Sequence, residues 1–405
     1  MTTQSPEPFT VPDHVPRELI LPVQVAEGDD FLAAPYAYMA RLHETCPPVF
    51  YRLSPQMGGT WTLIKHADAM FMLRHPERFS TRNATPFPRD PANPFKFLPL
   101  ESDPPEHRKY RNIVDPVFSP QGVARLEGRI AQRANDLIDR FIGRGGCEFG
   151  AEFGRPLPVS IFLELMGLPQ EMIDTFVKWA VDLLHSNDRA VMAQTMKHIT
   201  DYLKEAIAQK QRTPDDGVVS RIAHAAPGGV PLTAQEIFGF VMFLFIAGLD
   251  TVFATLNNVW LWLARNPERR QEILSRPDDL NAIVEELLRV HAVTFSGRTV
   301  EQDVEIRGVK MKKGDRINAI LPACNFDPEV FPDPTRVDFD RPRKPILAFA
   351  QGVHSCMGAH LARLEVKVSL REWLRRIPQF ALAQGARIVY RPGGVVGPET
   401  LSLVW

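Results

Sequence analysis

From about Pro120 to Ala292 apolar residues recur three and four apart, as in V-A-R-L-E-G-R-I-A-Q-R-A-N-D-L-I-D-R-F-I (Val123–Ile142). Such spacing dictates a succession of helices, each with one face turned inward. Period-two runs are short and lie at the margins: P-V-F-Y-R-L near residue 50, T-W-T-L-I near 62, V-E-I-R-G-V-K-M near 307 and R-I-V-Y near 389. The expected class is therefore mainly α with small peripheral β-sheets.

No repeat of 20 to 50 residues and no polar linker divides the 405 residues, so one domain over 1–405 is expected. With 47 basic and 48 acidic side chains, the net charge of -1 supplies no field for gathering nucleic acid or a membrane surface. A monomer is expected. The longest apolar run, Ile237 to Leu249, is 13 residues and stops at Asp250. That falls short of the roughly 20 needed to span a bilayer, so it reads as a buried core helix. The start, M-T-T-Q-S-P-E-P, lacks the basic and apolar regions of a signal peptide, which points to the cytoplasm.

Four cysteines, Cys46, Cys147, Cys324 and Cys356, form no C-x-x-C pair, so metal chemistry here must use a lone thiol. Between Ala84 and Pro105 seven prolines stand in 22 residues, which excludes a regular helix. The segment also carries Phe87, Phe95, Phe97, Leu98 and Leu100, which suits a loop that lines a cavity.

Four constellations carry chemistry. F-A-Q-G-V-H-S-C-M-G (Phe349–Gly358) leads into a helix-periodic run that stops at Pro378, delivering Cys356 at a helix start where the dipole favours a thiolate. Gly352 and Gly358 allow that loop close to a flat ligand. In I-V-E-E-L-L-R-V, Glu286 and Arg289 share a helix face, a pair worth only about 0.2–0.5 kcal/mol by itself. In S-D-P-P-E-H-R-K-Y-R, Asp103 is placed as an N-cap, and His107 and Arg111 share a face. Cations in a first turn oppose the helix dipole, so this pair calls for an anion nearby. Finally, A-G-L-D-T sets Ala247, Gly248, Asp250 and Thr251 inside an apolar helix, where Gly248 costs about 1 kcal/mol relative to alanine. Small residues there open a groove for a diatomic ligand, and Thr251 can bond back to the carbonyl four residues earlier.

The cysteine segment resembles the haem-binding loop of the cytochrome P-450 superfamily, the haem-thiolate monooxygenases. V-P-D-H-V-P near the start, D-P-P-E-H-R-K-Y-R, G-L-D-T and the ending L-S-L-V-W are most similar to the soluble bacterial camphor 5-monooxygenase type. The resemblance implies the cytochrome P-450 fold and haem b (iron protoporphyrin IX). Cys356 is then the axial iron ligand, with Phe349 beside the sulfur. His107, Arg111, Arg298 and His354 hold the propionates. Glu286, Arg289 and Arg336 form a supporting charge network, Gly248 lies over the oxygen site, and Thr251 and Asp250 serve oxygen activation and proton delivery.

The same resemblance implies a pocket of Phe95, Phe97, Leu244, Ala247, Val293, Phe295 and Val395, suited to a terpenoid or norisoprenoid framework. Phe95 falls where camphor-type relatives present a tyrosine hydroxyl, so a ketone loses a hydrogen bond worth about 0.5–1.5 kcal/mol. The glycine pairs beginning at Gly58, Gly145, Gly228 and Gly393 lack the strand and helix of a dinucleotide fingerprint. Electrons must then come from another protein, and the resemblance implies an iron-sulfur ferredoxin fed by its reductase, docking near Arg78, Arg108, Arg111 and Arg343. Rival readings are a peroxide-driven peroxygenase and a non-catalytic haem sensor.

Overall fold

A computed structural model describes residues 10–54, 58–82, 95–186 and 188–405. The apolar run reads out as the middle of one long helix, Ala234–Arg265. It starts on a capping box: Thr233 Oγ1 accepts from the Glu236 amide at 3.2 Å and the Glu236 carboxylate accepts from the Thr233 amide at 2.7 Å. Glu236 also accepts from the Tyr110 hydroxyl at 2.7 Å and the Lys109 ammonium at 3.0 Å. The helix is 32 residues and apolar enough to cross a membrane by length, yet 72% of its most apolar window is buried inside the protein. It is a core helix because neighbours cover most of its surface: Pro156–Met166, Ile173–Leu184 and Arg189–Arg212 pack on it.

Further along, the core helix offers Trp260 to an aromatic layer. Phe149 stacks on it at 4.9 Å, and Trp373 meets it edge-on at 5.9 Å. Trp373 belongs to Ala359–Arg376, hereafter the cysteine helix, which packs on Glu127–Asp139 and Leu280–Val290. The cysteine loop is thereby anchored at its C-terminal end.

The sheets are small and marginal, as the short period-two runs require. Strands β1 (Val49–Ser54), β2 (Gly58–Leu63), β3 (Phe79–Ser80), β4 (Gly146–Glu148), β5 (Ser296–Val300), β6 (Val304–Ile306), β7 (Val309–Met311), β8 (Arg316–Ala319), β9 (Ala381–Leu382) and β10 (Ser402–Val404) make three sheets. The largest has the order β1-β2-β8-β5-β3, with β2 and β8 parallel. The runs near 50, 62 and 307 are β1, β2 and the β6–β7 hairpin. The run near 389 is not a strand: only an isolated bridge joins Tyr390 to Pro398, because the chain there is tied to the core helix instead. Asn257 donates to the Pro398 carbonyl at 2.9 Å and Asn258 to the Val396 carbonyl at 2.8 Å.

Of the proline-rich segment, residues 83–94, including Phe87, lie outside the described residues. Past them, Gly239 of the core helix lets the chain come close, since a Cβ there would sit 2.0 Å from the Lys96 carbonyl oxygen. Asp103 is not an N-cap. The helix Glu106–Phe118 starts after Pro105, and the Asp103 carboxylate instead accepts from the Thr81 amide at 3.1 Å, the Ser80 hydroxyl and Arg82. It ties β3 to the helix that carries His107.

Candidate active site

Cys356 lies in a loop between the short 3-10 turn Gly352–His354 and the cysteine helix. Its amide donates to the Phe349 carbonyl at 2.9 Å, which closes the loop. Gly352 has φ +76°, and a Cβ there would stand 2.3 Å from the Leu73 carbonyl oxygen, so only glycine fits. Ala350 also has positive φ, 52°, without being glycine.

The sulfur is open to space yet enclosed by protein, because the space it faces is an internal cavity. Burial raises the thiol pKa, opposed by the Gly358 N–H and by the charges of Arg111 and Arg363. This corrects the expectation of a dipole-lowered thiol. The helix begins at Ala359, beyond Gly358, and a dipole acts mainly within its first turn.

That cavity, about 370 Å³, brings together most of the residues singled out from the sequence. Its lining includes Cys356, Phe349 and Gly358 on one side and Leu244, Ala247, Gly248 and Thr251 of the core helix on the other. His107, Arg111, Arg298 and His354 line one end, and Val293 and Phe295 also border it. Gly248 is required where it stands, since a Cβ would meet the Phe162 ring at 2.6 Å. Thr251 Oγ1 donates to the Ala247 carbonyl at 3.2 Å.

The basic cluster is tightly built. The His107 and His354 rings are 4.4 Å apart, and Arg111 donates to Asp115 at 2.7 Å and to the Ser355 carbonyl at 2.8 Å. Arg298 reaches Ser296 Oγ at 2.9 Å and the Gly297 carbonyl at 2.7 Å. Burial, helped by the charge of Arg111, pushes His107 down to about 4. Burial, with Arg298 and His107, pushes His354 to about 3, and burial alone brings Arg298 to about 10. Groups capable of positive charge, crowded until they resist protonation, make a donor set that fits a dianionic ligand edge.

Five expected site residues stand elsewhere. Phe95, Phe97 and Val395 fall outside the cavity lining. Phe95 packs edge-on against Phe97 at 5.2 Å and Phe238 at 5.0 Å, and Val395 bridges backbone-to-backbone with Thr294. Asp250 is buried on the far side of the core helix, where its Oδ1 lies 2.7 Å from His185 Nε2. The arginine that joins Glu286 and Arg289 is Arg341, whose Nε is 3.1 Å from Glu286 Oε1. Arg336 is exposed and contributes only its carbonyl, accepting from Arg289 at 3.1 Å and Arg341 at 3.0 Å. The motif F-P-D-P-T-R-V-D-F-D-R-P holds two arginines, and the tight turn at Asp333 (φ 47°) aims the second one inward.

Sequence reasoning missed several polar groups on this cavity, among them Thr255, His291 and Ser296. Thr294 lines it, and so does Glu365 of the cysteine helix, whose carboxyl burial pushes up to about 8. Glu365 sits four residues after Leu361 and shares its inward face, a helical offset readable in the sequence.

Comparison with known proteins identifies the family. The family model Cytochrome P450 matches residues 161–275 and 279–383. Probable cytochrome P450 127A1 of Sinorhizobium fredii is 32% identical over 98% of this chain and 97% of its own. The mycinamicin IV hydroxylase/epoxidase of Micromonospora griseorubida is 32% identical over 76% of this chain and 79% of its own. The crystal structure of cytochrome P450 CYP101C1 superposes with TM-score 0.88 at 31% identity, covering 98% of this chain and all of that one. CYP101J2 gives 0.85 at 30% identity, over 98% and 99%. This chain belongs to the cytochrome P450 family, the haem b monooxygenases. Its donor set and its cavity suit that cofactor.

Proposed function

We propose that the protein inserts one oxygen atom from O2 into a C–H bond of a small apolar substrate, a terpenoid or norisoprenoid, with Cys356 as the iron ligand. The observation that carries this is a single cavity holding Cys356, the four basic side chains and the Thr251 groove. Haem b supplies the activation of O2, and a thiolate ligand favours it by pushing electron density onto the iron. His107, Arg111, Arg298 and His354 hold the propionates. Gly248 keeps the groove open, and the Thr251 hydroxyl, bonded to the Ala247 carbonyl, steadies oxygen there. Asp250 lies one residue from Thr251 on the outer side of the helix and brings protons to it.

Phe162, Phe243, Leu244, Val293 and Phe295 supply an apolar wall with few polar groups, which selects a hydrocarbon framework. Half-buried Arg78 and exposed Arg108 and Arg343 would meet an acidic ferredoxin, while Arg111 is committed to Asp115 and the Ser355 carbonyl. A single domain working in the cytoplasm is in keeping with one large apolar cluster that runs from Phe97 to Leu403 and with a core helix whose most apolar window is 72% buried. The test is product analysis of terpenoids incubated with the holoprotein, a ferredoxin and its reductase under labelled O2. One labelled oxygen in a hydroxylated product is expected. Products formed only with hydrogen peroxide, or turnover of polar substrates alone, would overturn the proposal.

A further inference from the structure

Asp103 lies outside the cavity lining, directly behind the basic cluster. Strand β3 pairs Ser80 with Thr299 of β5, so the backbone that precedes Thr81 runs beside the strand carrying Arg298. Thr81 itself is wholly buried. Its hydroxyl donates to Asp103 Oδ1 at 3.2 Å and stands 3.3 Å from His354 Nε2. From the other direction, the turn Gly352–His354 seats against the helix His66–Arg74, brought close by Gly352 beneath the Leu73 carbonyl. Asp103, Thr81 and His354 are thus joined in line although they belong to distant stretches of chain. The Asp103 side chain is 12% exposed and accepts three further bonds, from the Ser80 hydroxyl, the Thr81 amide at 3.1 Å and Arg82 Nε at 2.8 Å. Burial opposes its ionisation, but these donors outweigh it and hold the carboxyl below the usual range.

An ionised carboxylate only accepts, so the single hydroxyl proton of Thr81 is drawn to Asp103 and the oxygen's lone pairs are left facing His354 Nε2. That bond ties the imidazole at one nitrogen and holds the ring where it lines the cavity, 4.4 Å from the His107 ring. Asp103 also supplies charge. Arg111 has Asp115 as its own counter-ion, but among the described residues Arg298 has no carboxylate in contact, and Asp103 is the charge that acts on it. We infer that Asp103 and Thr81 are positioning residues for the haem: through Thr81 they set the His354 ring against the anionic edge of the cofactor, and the fixed charge of Asp103 lowers the reduction potential of the iron. Ferric haem carries one positive charge more than ferrous haem, so a nearby anion favours the ferric state. The effect is felt because Asp103 is largely shielded from water and salt, whereas Arg82, 58% exposed, is screened and cancels only part of it.

The inference rests on the proposed role of His354 and Arg298 at the propionates, and its test separates the two. In the substrate-free holoprotein, Asp103→Asn should raise the ferric–ferrous midpoint potential by on the order of a tenfold change in that equilibrium, about 59 mV. Thr81→Val keeps the charge of Asp103 and the bulk of the side chain but loses the hydroxyl. It should speed haem transfer to an acceptor protein roughly 3- to 10-fold, the loss of one neutral hydrogen bond, and Thr81→Ser should restore the wild-type rate. Should Asp103→Asn fail to fold, Arg82→Gln reads the same charge from its other side: with that cation gone the potential should fall. A wild-type potential in Asp103→Asn, an unchanged or raised potential in Arg82→Gln, or equal haem transfer in wild type, Thr81→Val and Thr81→Ser would overturn the inference. Arg298→Met distinguishes the two readings. Unchanged haem transfer there defeats the propionate site and the inference with it, whereas faster transfer there beside a wild-type potential in Asp103→Asn defeats the role of Asp103 alone.

Discussion

Arg289 grips Glu286 with two parallel bonds, Nε to Oε2 at 2.8 Å and a terminal nitrogen to Oε1 at 2.7 Å, with both side chains almost wholly buried. Arg289 also donates to the carbonyls of Asn325, Pro334 and Arg336, at 2.9, 2.6 and 3.1 Å. Breaking such a pair leaves an uncompensated buried charge, which typically costs about 3–5 kcal/mol. Glu286→Gln should therefore lose stability of that order in denaturant unfolding of the holoprotein. Arg341→Ala should lose less, and Arg336→Ala almost nothing, since its exposed side chain can be shortened without disturbing the carbonyl.

Two neighbouring loop positions should respond with opposite signs. Ala350 holds a left-handed backbone at φ 52°, which costs a non-glycine residue about 1–2 kcal/mol. Ala350→Gly should raise stability by about 1 kcal/mol once the entropy of the unfolded glycine is subtracted. Gly352→Ala should lower it by more than that, because its φ of +76° and the Leu73 carbonyl at 2.3 Å both oppose a methyl group. Thermal unfolding of the two variants beside wild type checks the pair.

Arg298 tests the anion site. Its guanidinium is buried and, among the described residues, bonded to Ser296 and the Gly297 carbonyl. A hydrogen bond to a charged partner contributes about 1.5–3 kcal/mol, so Arg298→Met should weaken haem retention by roughly 10- to 100-fold. Haem transfer to an acceptor protein measures this directly.

The pH dependence of stability follows from two histidines with opposite shifts. Burial opposes protonation of His185, but its bonds to Asp250 and Glu399 raise the folded pKa to about 9, so its contribution is complete below about 6.5 and is lost as pH rises through 9. That contribution is on the order of 3 kcal/mol. His291 is fully buried beside Arg289, and burial lowers it to about 3. Its contribution is present above about 6.5 and is lost as pH falls toward 3. Stability should peak near neutrality, and His185→Gln should flatten the alkaline limb of the curve.

The cysteine loop, the His107–Arg111 pair and the Ala247–Thr251 groove were legible in the sequence because each is local, a few residues at fixed offsets on one loop or helix face, whereas Arg298 came only through the family resemblance. The core helix was legible for the same reason, although its ends depended on Thr233 and on packing beyond Thr251. What sequence reasoning missed depends on contacts between distant segments. Arg336 and Arg341 stand five apart in one loop, and only the turn at Asp333 decides which reaches Glu286. Asp250 reads as a groove residue until His185, 65 positions away, and Glu399 are seen to hold it outside. Phe95 and Phe97 read as pocket aromatics, but Phe95 packs on Phe238 and Phe97 packs on Phe95. The strand expected near 389 failed because the side-chain amides of Asn257 and Asn258 claim its backbone partners.

The central claim is ligation of iron by the Cys356 thiolate, and the absorption spectrum of the reduced, carbon-monoxide-bound protein tests it most directly. The account predicts the red-shifted Soret band of a thiolate-ligated haem in wild type and its loss in Cys356→Ser. A wild-type spectrum typical of histidine-ligated haem, or a Cys356→Ser spectrum unchanged from wild type, would contradict it.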